Sequence, residues 1–228
     1  RALVRAKIDN VRLNQIPQQD DSISILEKEF YHYISVAQNL ACPYPPSLII
    51  MHGLSGSGKT TISQTLLETI GAVRLRSDIE RKRIFGISPK DQSTKKIKED
   101  MYSENTGDTL HCQLREIAQK ILSSDYHVIV DATFLKRRHR DLFCRLADEQ
   151  NVPFLILDVQ SSLTTLKDRV AYRAEQRSDA SEADLAVLEQ QQREEEPLGN
   201  DEQKVAVTIN SEEPLDTKIV FRRLLKSR

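Results

Sequence analysis

Residues 52–61 read HGLSGSGKTT, directly after the apolar run Ser47-Leu48-Ile49-Ile50-Met51. Gly53, Gly58, Lys59 and Thr60 satisfy the spacing G-x-x-x-x-G-K-[ST]. An apolar strand precedes the motif and a helix-forming stretch, Thr61 to Thr69, follows it, which is the context the motif requires. Glycines let the backbone fold around an anion with its N–H groups pointing inward, and the new helix offers its unpaired amides and positive end to the same charge. Lys59 adds a point charge at the β/γ position of a nucleotide, and the Thr60 hydroxyl suits Mg²⁺. The predicted phosphate-holding set is Gly53, Ser55, Gly56, Ser57, Gly58, Lys59, Thr60 and Thr61.

Outward from this loop, short apolar runs alternate with helical stretches, the pattern of βαβ units and a parallel sheet. Runs 47–52, 73–76, 128–131, 154–159 and 205–209 are predicted strands. Stretches 59–70, 78–85, 107–123, 137–150, 163–177, 182–194 and 216–226 carry helix-forming composition. Residues 86–106 lack clean periodicity and read as a mobile or acceptor-facing insert. The acid-rich segment 178–203, broken by Pro197 and Gly199, reads as a solvated helical hairpin.

Upstream, residues 1–16 place Val4, Ile8 and Val11 at helical spacing among basic residues, and a second helix opens at Ser22 and is stopped by Pro43, Pro45 and Pro46. The predicted division is therefore an N-terminal helical segment, 1–46, and an α/β domain, 47–228. With 228 residues and 39% hydrophobic content there is material for one sizeable core and little more. Thirty-three Lys and Arg against 34 Asp and Glu give a formal charge of −1, so no global basic field points to nucleic acid. Cys42, Cys112 and Cys144 are scattered and odd in number, which argues for a reducing compartment, with cytoplasm the expectation, and against disulfides or zinc. No apolar run is long enough to cross a bilayer, so no membrane partner is expected.

Two carboxylates stand at predicted strand ends. Asp78, after the second strand, is placed to act as the base that orients a hydroxyl, with Arg81 one helical turn later; the alternative is an ordinary helix N-cap with a surface pair. Asp131 ends Val128-Ile129-Val130, as a Mg²⁺-side acid does in phosphate-loop proteins, and is followed by Ala132-Thr133. A glutamate beside it, the usual water-activating group of motor ATPases, is missing. Arg169, Arg173 and Arg177 recur every four residues along one helical face and could close as a lid over a transferring phosphoryl group, or simply pair with Asp168 and Glu175 in solvent. The basic run Lys136-Arg137-Arg138-His139-Arg140 has no interleaved aromatics, so nucleic acid is possible but not favoured. The five histidines show no metal spacing and read as structural or exposed.

Taken together, GLSGSGKTT, Ser77-Asp78-x-x-Arg81, VIVDATFLKRRHR at 128–140 and RVAYRAEQRSDASEADLAVLEQQ at 169–191 resemble the P-loop kinases grouped as "AAA domain" proteins, near polynucleotide kinase, gluconate kinase and zeta-toxin kinases. The resemblance covers most of residues 47–225. It implies a P-loop NTPase of the kinase type, with a five-stranded parallel sheet, helices on both faces and an arginine-bearing lid. It implies Asp78 as the acceptor-activating carboxylate, Arg81 as an acceptor ligand, Asp131 as a metal-side acid and Arg169 and Arg173 as lid residues, with ATP and Mg²⁺ as cofactors. Residues 1–7 are similar to the end of an aminoglycoside-phosphotransferase-like domain, implying covalent fusion to an upstream domain. The expected activity is phosphoryl transfer to a hydroxyl of a small-molecule acceptor. The alternatives are a polynucleotide 5′-hydroxyl kinase and a nucleotide-binding module that gates an upstream catalytic domain.

Overall fold

A computed structural model describes residues 1–17, 22–41, 45–88, 91, 93–176 and 181–226. Arg177, Pro43 and Cys42, and the turn expected near Asp179, lie outside the described residues. By its contacts the chain divides into two units, Arg1–Tyr44 and Pro45–Arg228. The first is a pair of packed helices, α1 (Ala2–Leu13) and α2 (Ile23–Ala41).

The second unit is built on five parallel strands: β1 (Leu48–His52), β2 (Val73–Arg76), β3 (Val128–Asp131), β4 (Phe154–Gln160) and β5 (Ala206–Asn210), in the order β2-β3-β1-β4-β5. The three inner strands read as unbroken apolar runs because helices cover both faces. Side chains alternate along each. Leu48 and Ile50 of β1, Val128 and Val130 of β3, and Phe154 and Ile156 of β4 enter one core cluster, while Ile49 and Met51, Ile129, and Leu155 and Leu157 enter the other.

The first cluster packs against α6 (Glu104–Leu122) and α7 (Arg137–Gln150) through Leu110, Leu114, Phe143 and Leu146. The second packs against α3 (Lys59–Ile70) and α11 (Thr217–Lys226) through Ile62, Leu66 and Val220. The remaining helices are α4 (Ser77–Ile84), α5 (Lys95–Met101), α8 (Leu163–Gln176), α9 (Leu185–Glu194) and the short α10 (Asn200–Gln203). Local chemistry sets several helix ends. Ser103 accepts the Thr106 N–H at the start of α6, Asp184 accepts that of Val187 at the start of α9, and Gly71, with φ 67°, ends α3.

Strand β3 lies between β1 and β2, so Asp78 approaches the phosphate loop along the carboxyl edge of the sheet and not from the adjacent strand. Two expectations change. Residues 86–106 are not an irregular insert throughout: α5 and the first turn of α6 fall within them, too short for their period to stand out in sequence. Segment 178–203 contains α9 followed by an extended stretch and the single turn of α10.

The basic run at 136–140 is divided by the fold. Arg140 is 1% exposed and donates from Nε to Glu202 Oε1 at 2.6 Å, from Nη2 to Glu202 Oε2 at 3.1 Å, and from Nη1 to the Phe134 and Leu135 carbonyls, both at 3.0 Å. It thereby fixes the loop that leaves β3 against α10. Arg140→Met should leave a buried carboxylate without its cation and lower unfolding free energy by about 3–5 kcal/mol, read from the midpoint of chemical denaturation.

Candidate active site

The carboxyl ends of β1, β2 and β3 open on one side of the sheet, where ligands of such folds collect. The phosphate loop leaves β1 with Gly53 at φ 130°, and a Cβ there would stand 2.4 Å from the Val159 carbonyl oxygen. A side chain at this position is thus excluded by both conformation and space. Gly56 and Gly58 also have positive φ, and the backbone of Leu166 in α8 lies against Gly56. The loop ends where α3 begins, with Gly58 preceding its first residue, so the unpaired amides of α3 face into the loop.

A cavity of about 220 Å³ lies over the loop and is bordered by Ser55, Gly56, Gly58, Lys59, Thr60 and Thr61. Asp78, Arg81, Asp131, Arg169 and Arg173 border the same cavity. The predicted site residues from four separate stretches therefore meet. Gly53 and Ser57 do not border it; they receive the lysine instead. Lys59 Nζ donates to the Gly53 and Leu54 carbonyls at 2.8 and 2.7 Å and to Ser57 Oγ at 3.4 Å. Burial pulls the Lys59 ammonium down to about 8, against the opposing pull of the Asp131 and Asp78 carboxylates.

Asp131, 5% exposed, takes a hydrogen bond from Ser63 Oγ at 3.2 Å. Burial raises its pKa, while Lys59 and a hydrogen bond with Thr60 hold it down. The Thr60 hydroxyl and the Asp131 carboxylate are hard oxygen donors in contact, the donor set that suits Mg²⁺ shared with phosphate and water. Among the described residues no group of three or more His, Cys, Asp or Glu could hold a metal by itself. Arg74 of β2 braces this corner, donating to the Thr60 carbonyl at 3.0 Å and to Ser63 Oγ at 3.1 Å.

The two arginines expected to close as a lid, Arg169 and Arg173, sit differently. Arg169 is held at the loop, donating to Ser211 Oγ at 2.9 Å and to the Gly56 carbonyl at 3.3 Å. Arg173 donates to the Ala183 carbonyl at 3.4 Å, and its buried Nε has no partner among the described residues. Beyond α8, Glu182 accepts from the wholly buried Lys82 at 3.0 Å and from the Ser93 N–H and hydroxyl at 3.0 and 3.1 Å, tying α4 to the segment that leads into α9.

Sequence reasoning missed Tyr102, His111 and Gln191. Gln191 Oε1 accepts the Ser55 N–H at 2.8 Å, directly on the phosphate loop. The Tyr102 ring lies under the Arg81 guanidinium, 4.9 Å from its carbon, and burial followed by the Asp78 charge holds its phenol above the usual range. His111 stacks on His139 with ring centres 3.7 Å apart. Its signal was present in the sequence: it is a polar residue inside the buried stripe Leu110, Leu114, Ala118 of α6. Arg81, Tyr102, His111, Thr133 and Gln191 also border a second recess of about 160 Å³ that continues from the first cavity.

Burial, reinforced by His139 and Arg81 and opposed by the Gly107 carbonyl and Asp108, lowers the His111 pKa to about 3. The unfolded chain therefore takes up a proton between pH 6.5 and 3 that the folded chain refuses, so stability supplied by this group is full above pH 6.5 and is lost as pH falls toward 3. His111→Phe should flatten that acid limb, seen as a smaller fall in Tm between pH 6.5 and 4 than in the parent.

The family model described as "AAA domain" matches residues 48–198. An uncharacterized protein of Mycobacterium tuberculosis, Rv2004c, is 25% identical over 188 residues, 82% of this chain. The chain spans only 36% of the length of the curated relatives it matches. Among solved structures, a sugar kinase from Janibacter sp. HTCC2649 aligns at a TM-score of 0.55 and 21% identity, covering 79% of this chain and 94% of the other. The APS kinase of Mycobacterium tuberculosis aligns at 0.55 and 17%, covering 81% and 100%. At these identities the likeness is one of fold: a kinase-type P-loop architecture with an all-parallel five-stranded sheet.

Proposed function

The chain belongs to the AAA domain family that matches it over residues 48–198, and on that premise we propose that it is an ATP- and Mg²⁺-dependent kinase that transfers the γ-phosphoryl group to a hydroxyl of a small-molecule acceptor. The observation that carries the proposal is that Asp78 and Arg81 border the same cavity as Lys59, Thr60 and Asp131. A phosphate loop alone serves any nucleotide protein. A carboxylate and a guanidinium facing it supply what a hydroxyl acceptor needs.

In this reading the loop amides and Lys59 hold the β- and γ-phosphates, and Thr60 and Asp131 would hold Mg²⁺, which would supply charge neutralisation on the phosphates. Asp78 orients the acceptor hydroxyl and takes its proton as the oxygen attacks the γ-phosphorus, the bond from phosphorus to the β–γ bridging oxygen breaks, and ADP leaves. Arg81 holds the acceptor, and Arg169 and Arg173 meet charge on the moving group. The similarity to sugar and APS kinases in fold supports a small acceptor.

The polynucleotide alternative rests on the 136–140 run, of which His139 and Arg140 are buried while Lys136, Arg137 and Arg138 make ion pairs at the surface. Lys136 and Arg138 both reach Glu104 Oε1 at 2.8 Å, Arg138 also reaches Asp108, and Arg137 pairs with Asp201. Among the described residues no helix is long and apolar enough to cross a membrane. Fusion to an upstream domain stays part of the proposal; reading the coding sequence upstream of Arg1 tests it.

The test is ADP release by the purified chain with Mg²⁺-ATP against sugars, nucleosides and oligonucleotides. Stimulation by a small hydroxyl compound is expected. Stimulation by 5′-hydroxyl oligonucleotides alone would favour the polynucleotide reading. ATP-dependent conformational change with no acceptor-stimulated release would favour the regulatory-module reading.

A further inference from the structure

Three side-chain atoms near the cavity are buried without a hydrogen-bond partner among the described residues: His111 Nε2, Arg81 Nε and Arg173 Nε. All three residues border the cavity over the phosphate loop, and His111 and Arg81 also border the adjoining recess. Native proteins carry few buried polar atoms without a partner. Three residues bearing such atoms line one opening, which marks a wall that a ligand completes.

The polarity of each atom is fixed. His111 Nδ1 lies 2.7 Å from the Gly107 carbonyl, which can only accept, so Nδ1 carries the proton and Nε2 presents a bare lone pair. Burial keeps the ring neutral, with a pKa near 3, so this atom accepts a hydrogen bond at neutral pH but is a poor base for taking a proton outright. The stacked His139 holds Asp108 through Nε2 at 2.7 Å, a bond separate from the His111 Nε2 position. Guanidinium nitrogens only donate. The missing ligand must therefore donate at His111 and accept at Arg81.

We propose that His111 is a specificity-determining residue that reads a second hydroxyl of the acceptor, so that the acceptor is a polyol offering one hydroxyl to Asp78, another to His111 Nε2 and an oxygen to Arg81 Nε. This rests on the kinase reading, since Asp78 is assigned to the reacting hydroxyl. A simple alcohol leaves the His111 lone pair and the Arg81 N–H bare, and sites built to bond a substrate hydroxyl reject analogues that lack it strongly.

The experiment uses the chain labelled with ¹⁵N-histidine, titrated with D-glucose, D-gluconate, myo-inositol and 2-deoxy-D-glucose in the presence of a non-hydrolysable ATP analogue, beside ADP-release kinetics with ATP. The variants are His111→Phe, which removes the lone pair, and His111→Gln, which can restore an acceptor oxygen. At least one polyol should move the His111 Nε2 resonance toward its hydrogen-bonded position and stimulate ADP release. Its KM should rise roughly 100-fold in His111→Phe and recover in part in His111→Gln, with kcat changed much less.

A polyol that stimulates ADP release while leaving the resonance in place, or with KM unchanged in a folded His111→Phe, overturns the assignment and leaves the kinase reading standing. A polyol that moves the resonance but never yields ADP supports the His111 contact and overturns the kinase reading. Silence in both measurements across the panel overturns both.

Discussion

Asp78→Asn should lower acceptor-stimulated kcat by about 10³-fold while nucleotide affinity stays nearly unchanged. Asparagine keeps the size of the side chain and can still hydrogen-bond a hydroxyl, but it cannot take the proton, and positioned acid–base groups contribute about 10²–10⁴-fold. Asp78 stands at the first turn of α4 on the cavity wall, and its charge is felt by both Lys59 and Tyr102. The measurement is single-turnover transfer to the best acceptor, with nucleotide binding followed separately. Equal rates in parent and variant would remove Asp78 from the chemistry and with it the main support for a hydroxyl acceptor.

Lys59→Met should abolish turnover at the sensitivity of a coupled assay, a loss of about 10³-fold or more, and should weaken nucleotide binding as well. The two effects travel together because this ammonium would meet the β/γ-phosphates in both ground and transition states. Its present bonds to the Gly53 and Leu54 carbonyls hold it beside the loop it would serve. Methionine fills the same buried volume, so unfolding measurements separate loss of charge from loss of fold. Calorimetric titration with the ATP analogue reads the binding part, and nucleotide affinity equal to the parent's would count against the loop as the phosphate site.

Much of the candidate site was legible because it is local. Four residues at fixed spacing between an apolar strand and a helix define the phosphate loop, Asp131 ends the apolar run Val128-Ile129-Val130, and Asp78 follows the second predicted strand. The rest of the site is tertiary. Tyr102 lies between α6 and the short helix α5, which has little period to read, and Gln191 meets Ser55 across 136 positions of sequence. His111 falls in the predicted helix 107–123 as the polar member of a buried stripe, but nothing in the sequence brings its ring onto His139 or onto the cavity wall. The burial of Arg140 within the basic run was illegible for a similar reason: its partner Glu202 lies 62 positions away. Strand order, too, is a long-range property: β3, encoded after β2, pairs between β2 and β1.

The placement of β1 at the centre of the sheet has a consequence for the chain as it is made. Leu48 pairs with Val128 on one side and Phe154 on the other, so the strand that carries the phosphate loop has no partner until at least 80 further residues have emerged. At roughly 5–20 residues per second of synthesis, that is a wait of about 4–16 s during which Leu48 to Met51 travel as an uncovered apolar segment. Nascent chains stalled before Val128 should therefore bind chaperones through this segment and retain no nucleotide.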